Sequence, residues 1–342
     1  MIDARARRRF TKNRGALAGA VFVALLLAFA IAAPMLAGHD PFASDFDHGA
    51  TKLGLPVGPS HEYWLGTDRL FRDELVRLAF GARISLVIAF AATFLATVIG
   101  ALVGVVAGYY EGSRGLAVPL VAVAGFVGAL ALIIAGAPPF LAYVAILAGV
   151  LLGVAGVATK TAWLAMGPRL NADTALMRLV DVGLSFPFLL LVMALAAALD
   201  KTSMGAILLT LGLTGWLGTA RVVRAKTLQV RALDFVLASR ALGQPTWRIM
   251  LLHVLPNVAG PLIVIATSSV AQMIIAESVL SYLGAGLSPP TPTWGRMLFE
   301  GQDSYLSAPW LLAAPATAIL MAVLGFNLVG EGLRDALDPR DA

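Results

Sequence analysis

The chain contains no cysteine, which rules out disulfides, zinc–thiolate sites and thiol catalysis and leaves the redox compartment unreadable. Charge is scarce too: 13% of the 342 residues are charged and 59% are hydrophobic, against roughly 25% and 45–50% in an ordinary soluble domain. A soluble protein of this size would need a more charged surface to stay dispersed. No GxxxxGK[ST] phosphate loop is present, so the chain does not bind ATP by that device. The four histidines, His39, His48, His61 and His253, are scattered without metal-ligand spacing. No nucleophile is spaced with a base in a recognisable arrangement, and an intramembrane enzyme finds no support.

Uncharged apolar sequence is abundant instead. Residues 15–38 carry no charge, and about 20 apolar residues in a helix cross the roughly 30 Å hydrocarbon layer. Windows of about 19 residues place spans at 16–36, 84–108, 116–135, 140–158, 180–199, 206–222, 260–283 and 311–328. The chain therefore reads as an all-α polytopic membrane protein of eight spans, with both termini on one side. The basic start RARRRFTKNR has the outline of a signal peptide. Its apolar run exceeds the roughly 7–15 residues of such a segment, so an uncleaved first span is expected. The third and fourth spans, separated by GAPP, read as a tight hairpin.

Orientation follows from basic residues. Arg5, Arg7, Arg8, Arg9, Lys12 and Arg14 precede the first span, and Lys226, Arg231, Arg240 and Arg248 fall on the same side, which is therefore cytoplasmic. One loop opposes this assignment: residues 39–83 would be external, yet hold Lys52, Arg69, Arg72, Arg77 and Arg83. The net charge of +5 sits largely beside apolar runs, where it orients helices in lipid, and no nucleic-acid partner is expected. Gly100, Gly104 and Gly108, like Gly149 and Gly153, recur one turn apart, a spacing that lets helices approach closely within the chain.

The segment DFVLASRALGQPTWRIMLLHVLPN, residues 234–257, breaks the pattern of spans. Its spacing predicts a short helix over 235–242, a stop at Gly243, a second helix opened by Pro245, and entry to the next span at Leu255–Pro256. The result is a bent knob on the cytoplasmic face. Small Ala238 and Ser239 leave room for a partner surface, and Phe235 and Leu242 suit insertion into a groove. Asp234, Ala241, Gly243 and Pro245 complete the candidate surface. Candidates for the translocation path or a subunit contact are Phe186, Pro187 and Glu277. Charge within lipid is costly and usually functional, and for Glu277 three roles stay open: packing or subunit contact, path lining, or a proton site.

This knob resembles the coupling loop of binding-protein-dependent ABC importer permeases, whose motif runs EAA, three residues, Gly, nine residues, then I-x-LP. Ala238, Ser239, Gly243, Leu255 and Pro256 fit the register, whereas Leu237 replaces the glutamate and His253 the isoleucine. WLGTDRLFRDELVRLAFGARISL (64–86), ALMRLVDVGLSFPFLLL (175–191), AESVLSYLGAGLSPPTPTWGRML (276–298) and FNLVGEGLRDALDPR (326–340) are similar, in the same order, to the second-permease (C-type) subunit of the dipeptide, oligopeptide and nickel group. Polar details such as Thr67-Asp68, Arg72-Asp73, Asp335 and Asp338-Pro339-Arg340 exceed chance apolar similarity. Phe71 stands where glycine is usual.

The resemblance, which spans most of the chain outside 113–173, implies a six-helix core with an extra two-helix hairpin inserted there. The expected divisions are 1–38 (N-terminus and first span), 39–83 (external loop) and 84–340 (permease core), with the coupling loop at 224–256. Expected partners are a second homologous permease, usually forming a heterodimer, two ATPase subunits that bind ATP and Mg, and an external solute-binding protein. This chain itself would carry no cofactor and would lie in a bacterial-type inner membrane, passing peptides or a nickel chelate. The hairpin is expected to be peripheral. An ion-coupled secondary transporter is the alternative from another class.

Overall fold

The computed structural model describes residues 4–112, 172–199 and 203–337, together with 116–117, 169–170 and positions 141, 144 and 148. Among the described residues the regular elements are helices apart from one two-residue strand pairing. Basic α1 (Ala4–Lys12) leads into α2 (Arg14–Ala37), whose N-cap Asn13 accepts a hydrogen bond from the Ala16 amide. After the loop of residues 38–73 come α3 (Glu74–Tyr109), α4 (Ala172–Ser185), α5 (Phe188–Leu199) and α6 (Met204–Val230). Then follow α7 (Asp234–Ala241), α8 (Thr246–Ile249), α9 (Leu255–Tyr282), α10 (Trp294–Gly301) and α11 (Trp310–Leu337). Five of these stretches are long and apolar enough to cross a membrane, or six if the bent α4–α5 pair is one span. The spans expected at 116–135 and 140–158 lie outside the described residues. The strands Leu116–Ala117 and Arg169–Leu170 pair antiparallel and so bring the two ends of that segment together.

Three boundaries differ from the hydropathy reading. Helix α3 starts at Glu74, not 84, because the Asp73 carboxylate accepts from the Leu75 and Val76 amides as an N-cap. Helix α6 runs on to Val230, so the loop expected from 224 begins at Arg231. The span expected at 180–199 is bent by 93° between α4 and α5. Pro187 has no N–H to offer the Gly183 carbonyl, and its ring disfavours helical geometry at Phe186.

Glycines set the packing. A Cβ added at Gly100 would lie 2.7 Å from Thr219 Cβ, at Gly104 2.6 Å from the Ala220 carbonyl, and at Gly108 2.7 Å from Thr227 Cβ. The stripe therefore lets α3 lie against α6 almost backbone to backbone, as its spacing indicates. Gly19 does the same for α2 on α11, where a Cβ would stand 2.8 Å from the Gly325 carbonyl. One apolar core gathers Leu26, Leu78, Ile88, Leu211, Ile274, Trp294 and Phe326 from α2, α3, α6, α9, α10 and α11. A second lies beneath the knob, formed by Val105, Tyr109, Val223, Val230, Val236, Ile249, Val254 and Val258.

The basic residues expected in the 39–83 loop are largely spoken for. Arg72 Nη2 lies 2.6 Å from Asp68, and Arg77, 1% exposed, reaches Asp68 at 3.2 Å and Glu300 of α10 at 2.9 Å. Arg69 pairs with Asp303 at 3.1 Å, and the Arg83 guanidinium donates to the carbonyls of Ala30 and Ile31. These cations tie the loop to α10 and to the end of α2, so they are structural charge and not a free basic patch.

Phe71 adopts φ +60°, the left-handed region in which a Cβ costs roughly 1–2 kcal/mol; glycine at this position in the family would avoid that cost. Its ring meets Phe46 edge-on at 5.4 Å, a contact worth about 0.5–1.5 kcal/mol. The two effects nearly cancel. We expect Phe71→Gly to exceed Phe71→Ala in stability by about 1 kcal/mol, because alanine loses the ring and keeps the strain. Thermal unfolding of the two purified variants in detergent checks the order.

Candidate functional site: a bent knob between two spans

Helix α7 is closed at its C-terminus by a Schellman motif. Gly243 takes φ +74°, its amide donates to the Arg240 carbonyl (3.0 Å), and the Gln244 amide donates to Ser239 (3.2 Å). Pro245 then stands as the N-cap of α8, which passes through the π-turn Met250–Val254 directly into α9. Pro256 denies the Leu252 carbonyl its usual amide partner, a local cause for the wider turn.

The knob has an inner and an outer side. Val236 and Ile249 are buried in the core below. Asp234, Phe235, Ala238, Ala241, Leu242, Gly243 and Pro245 are exposed. Ser239 is the exception among the sequence candidates: it is buried, and its hydroxyl donates to the Phe235 carbonyl at 2.8 Å. Leu237 and Trp247 extend the outer apolar surface, at 47% and 62% exposure beside Leu242 at 81%. Sequence reading missed Trp247, although its place two residues past Pro245 could have marked it. His253, at the family's isoleucine position, lies beside the Phe235 ring with centroids 6.2 Å apart.

Two further candidates lie elsewhere. Phe186 and Pro187 are exposed at the bend between α4 and α5. Glu277 is wholly buried, accepting from the hydroxyls of Ser85 on α3 at 2.8 Å and Ser281 on its own helix at 2.7 Å. Within this chain it is an internal tie between α9 and α3. Glu277→Gln keeps one acceptor oxygen and offers an amide N–H to the other serine hydroxyl, which can accept it, and is expected to leave thermal stability within about 1 kcal/mol. Glu277→Ala strands two buried hydroxyls and opens a cavity, a loss of about 3 kcal/mol or more. Unfolding midpoints of the two variants separate the cases.

On the loop between α2 and α3, Asp45, His48 and Glu62 bring ligand-capable atoms within 4.8 Å of one another. The Asp45 oxygens already accept from the Asp47 and His48 amides and the Tyr63 hydroxyl. The His48 amide first and the Tyr63 hydroxyl next hold its carboxyl down at about 2. Burial, with this same bond, pushes the Tyr63 phenol up. The arrangement reads as loop closure.

Comparison with known proteins supplies the context. The family model described as "binding-protein-dependent transport system inner membrane component" matches residues 145–341, and that for the N-terminal TM domain of oligopeptide transport permease C matches residues 4–53. The chain is 32% identical over 333 residues to the oligopeptide transport system permease protein OppC of Bacillus subtilis (strain 168), covering 97% of this chain and 88% of that protein. It is 34% identical over 334 residues to the dipeptide transport system permease protein DppC of the same organism, covering 97% and 84%. Against OppC of Escherichia coli (strain K12) it is 35% identical over 336 residues, covering 98% and 90%. With its apolar helices and the matches running almost end to end, the chain belongs to the family of binding-protein-dependent transport system inner membrane components, the multi-pass permease subunits of ABC importers.

Proposed function

We propose that this chain forms half of the path by which an ATP-driven importer carries peptides across a bacterial inner membrane, a second homologous permease supplying the other half. Relatives named as oligopeptide and dipeptide permeases support the cargo class. The observation that carries the mechanism is the knob: an exposed apolar surface around Phe235, Leu237, Leu242 and Trp247 whose inner residues are locked into the bundle. Such a surface suits a groove on each ATPase subunit, and those subunits bind the ATP and Mg. Both termini lie in the cytoplasm with the knob, and the insertion expected at 113–173 adds two crossings for a total of eight. The meeting of its ends at Leu116 and Leu170 favours a peripheral addition. Of the five basic side chains that argued against this orientation, four, Arg69, Arg72, Arg77 and Arg83, are anchored by carboxylates or carbonyls.

Closure of the ATPases on ATP would displace the knob. Helix α3, 36 residues and so about 54 Å long at 1.5 Å per residue, is locked to α6 by the glycine stripe and carries that displacement towards the external ion cluster. The spans then exchange inward-open and outward-open states. A solute-binding protein delivers peptide at external loops such as 289–294. Uptake of a labelled peptide into proteoliposomes holding the full complex should require ATP, be blocked by vanadate and ignore a protonophore. Uptake that survives without ATP and collapses with the protonophore would instead indicate an ion-coupled carrier, and uptake of a nickel chelate in place of peptide would reassign the cargo.

A further inference from the structure

The knob does not hang on apolar packing alone. Arg231, which ends α6 three residues before α7, turns its guanidinium onto the last turn of α3. Its Nη1 donates to the carbonyls of Gly108 (3.1 Å), Tyr109 (3.2 Å) and Glu111 (2.8 Å), and its Nη2 to Glu111 Oε2 (2.6 Å). The final carbonyls of a helix lack partners within the helix, and positive charge is favoured there. Two turns earlier on α6, Arg224 reaches Glu111 at 3.4 Å. Its Nη2 also donates to Asp173 Oδ2 at 2.7 Å, and its Nε donates to the other oxygen of that carboxylate. Asp173 lies in the first turn of α4, where an acid is favoured. From the knob itself, Arg240 lies over the Tyr109 ring at 5.2 Å.

The cytoplasmic end of α6 thus grips the finish of α3 and the start of α4 at once, and α4 leads to the 93° bend at Phe186–Pro187. The side chains involved are partly exposed: Arg224 25%, Arg231 26%, Glu111 38% and Asp173 10%. Ion pairs in such settings add little stability, and apolar packing already holds these helices together, α3 on α6 beneath the knob and α4 on α6 through Val180, Leu217 and Ala220. What the network adds is direction, because a planar fork with several acceptors fixes orientation as a lysine would not.

We propose that Arg224 and Arg231 are positioning residues that pass displacement of the coupling knob to α3 and α4, so that they set how much transport each ATP turnover yields. This rests on the importer reading above. It is tested in the complete reconstituted complex by measuring peptide uptake and binding-protein-stimulated ATP hydrolysis side by side for Arg231→Gln, Arg224→Gln and Asp173→Arg. Each is expected to cut uptake about tenfold, the equivalent of one charge-assisted hydrogen-bond set, while ATP hydrolysis stays within about twofold. Arg231→Lys, which keeps the charge and loses the fork, should give an intermediate ratio of uptake to hydrolysis. Combining Arg224→Asp with Asp173→Arg should restore most of the lost ratio. An unchanged ratio in all single variants would overturn the proposal. So would uptake and hydrolysis falling in proportion without rescue by the swap, since ordinary structural support behaves that way. A wild-type complex that transports without ATP would overturn the importer reading itself, and is distinguishable by that control.

Discussion

Replacing Gly243 with proline is expected to abolish uptake while leaving the chain inserted in the membrane. Proline fixes φ near −65°, whereas Gly243 holds φ +74° and uses its amide to close α7 on Arg240. The mismatch costs about 3 kcal/mol or more, and it falls on the turn that aims the outer surface of the knob. Among the described residues no atom lies within 4 Å of a Cβ added there, so the damage is to direction and not to packing. Gly243→Ala provides the control: it carries only the left-handed penalty of about 1–2 kcal/mol and should keep most activity. Uptake is compared at matched levels of membrane-inserted protein, and normal uptake by the proline variant would refute the role of the turn. Ala238→Arg, which places a charge on the outer face of α7, should also stop transport without preventing insertion.

The second large effect concerns stability. Gly104→Leu should prevent accumulation of folded protein, because even its Cβ would lie 2.6 Å from both the Ala220 carbonyl and Val223 Cβ. Backbone cannot yield as a side-chain tip can, so α3 and α6 would have to separate, at a cost above the roughly 1–3 kcal/mol of ordinary overpacking. Gly218, also on α6, is exposed and among the described residues has nothing within 4 Å of an added Cβ, so Gly218→Leu should be close to neutral. Gel filtration of detergent-solubilised protein distinguishes the two. Equal behaviour of both variants would contradict the backbone-to-backbone contact.

These two sites also mark what the sequence makes legible. The knob can be read because Gly243 and Pro245 dictate backbone geometry locally, and the α3–α6 contact because small residues recur at one-turn spacing. Pro187 was equally visible, but averaging hydropathy over a window hides a single missing amide, and a bent pair of helices passed for one straight span. The early start of α3 was obscured by Arg77 and Arg83, whose charges look like loop until their partners Asp68, Glu300 and the α2 carbonyls are known. Glu300 and the α2 carbonyls lie far from these arginines in sequence. The same separation concealed the grip of Arg224 and Arg231 on Glu111 and Asp173, since no local pattern pairs residues across an insertion. Phe71 showed as a departure from family glycine, and only its φ explains what the glycine is for.

The most direct test uses the absence of native cysteine. With Ala238→Cys as the sole thiol, a membrane-impermeant maleimide should label the chain in inverted membrane vesicles and not in right-side-out ones, and bound ATPase subunits should shield it. Labelling from the outside, or no shielding when the ATPase is present, would contradict the account of the knob as the seat of the motor.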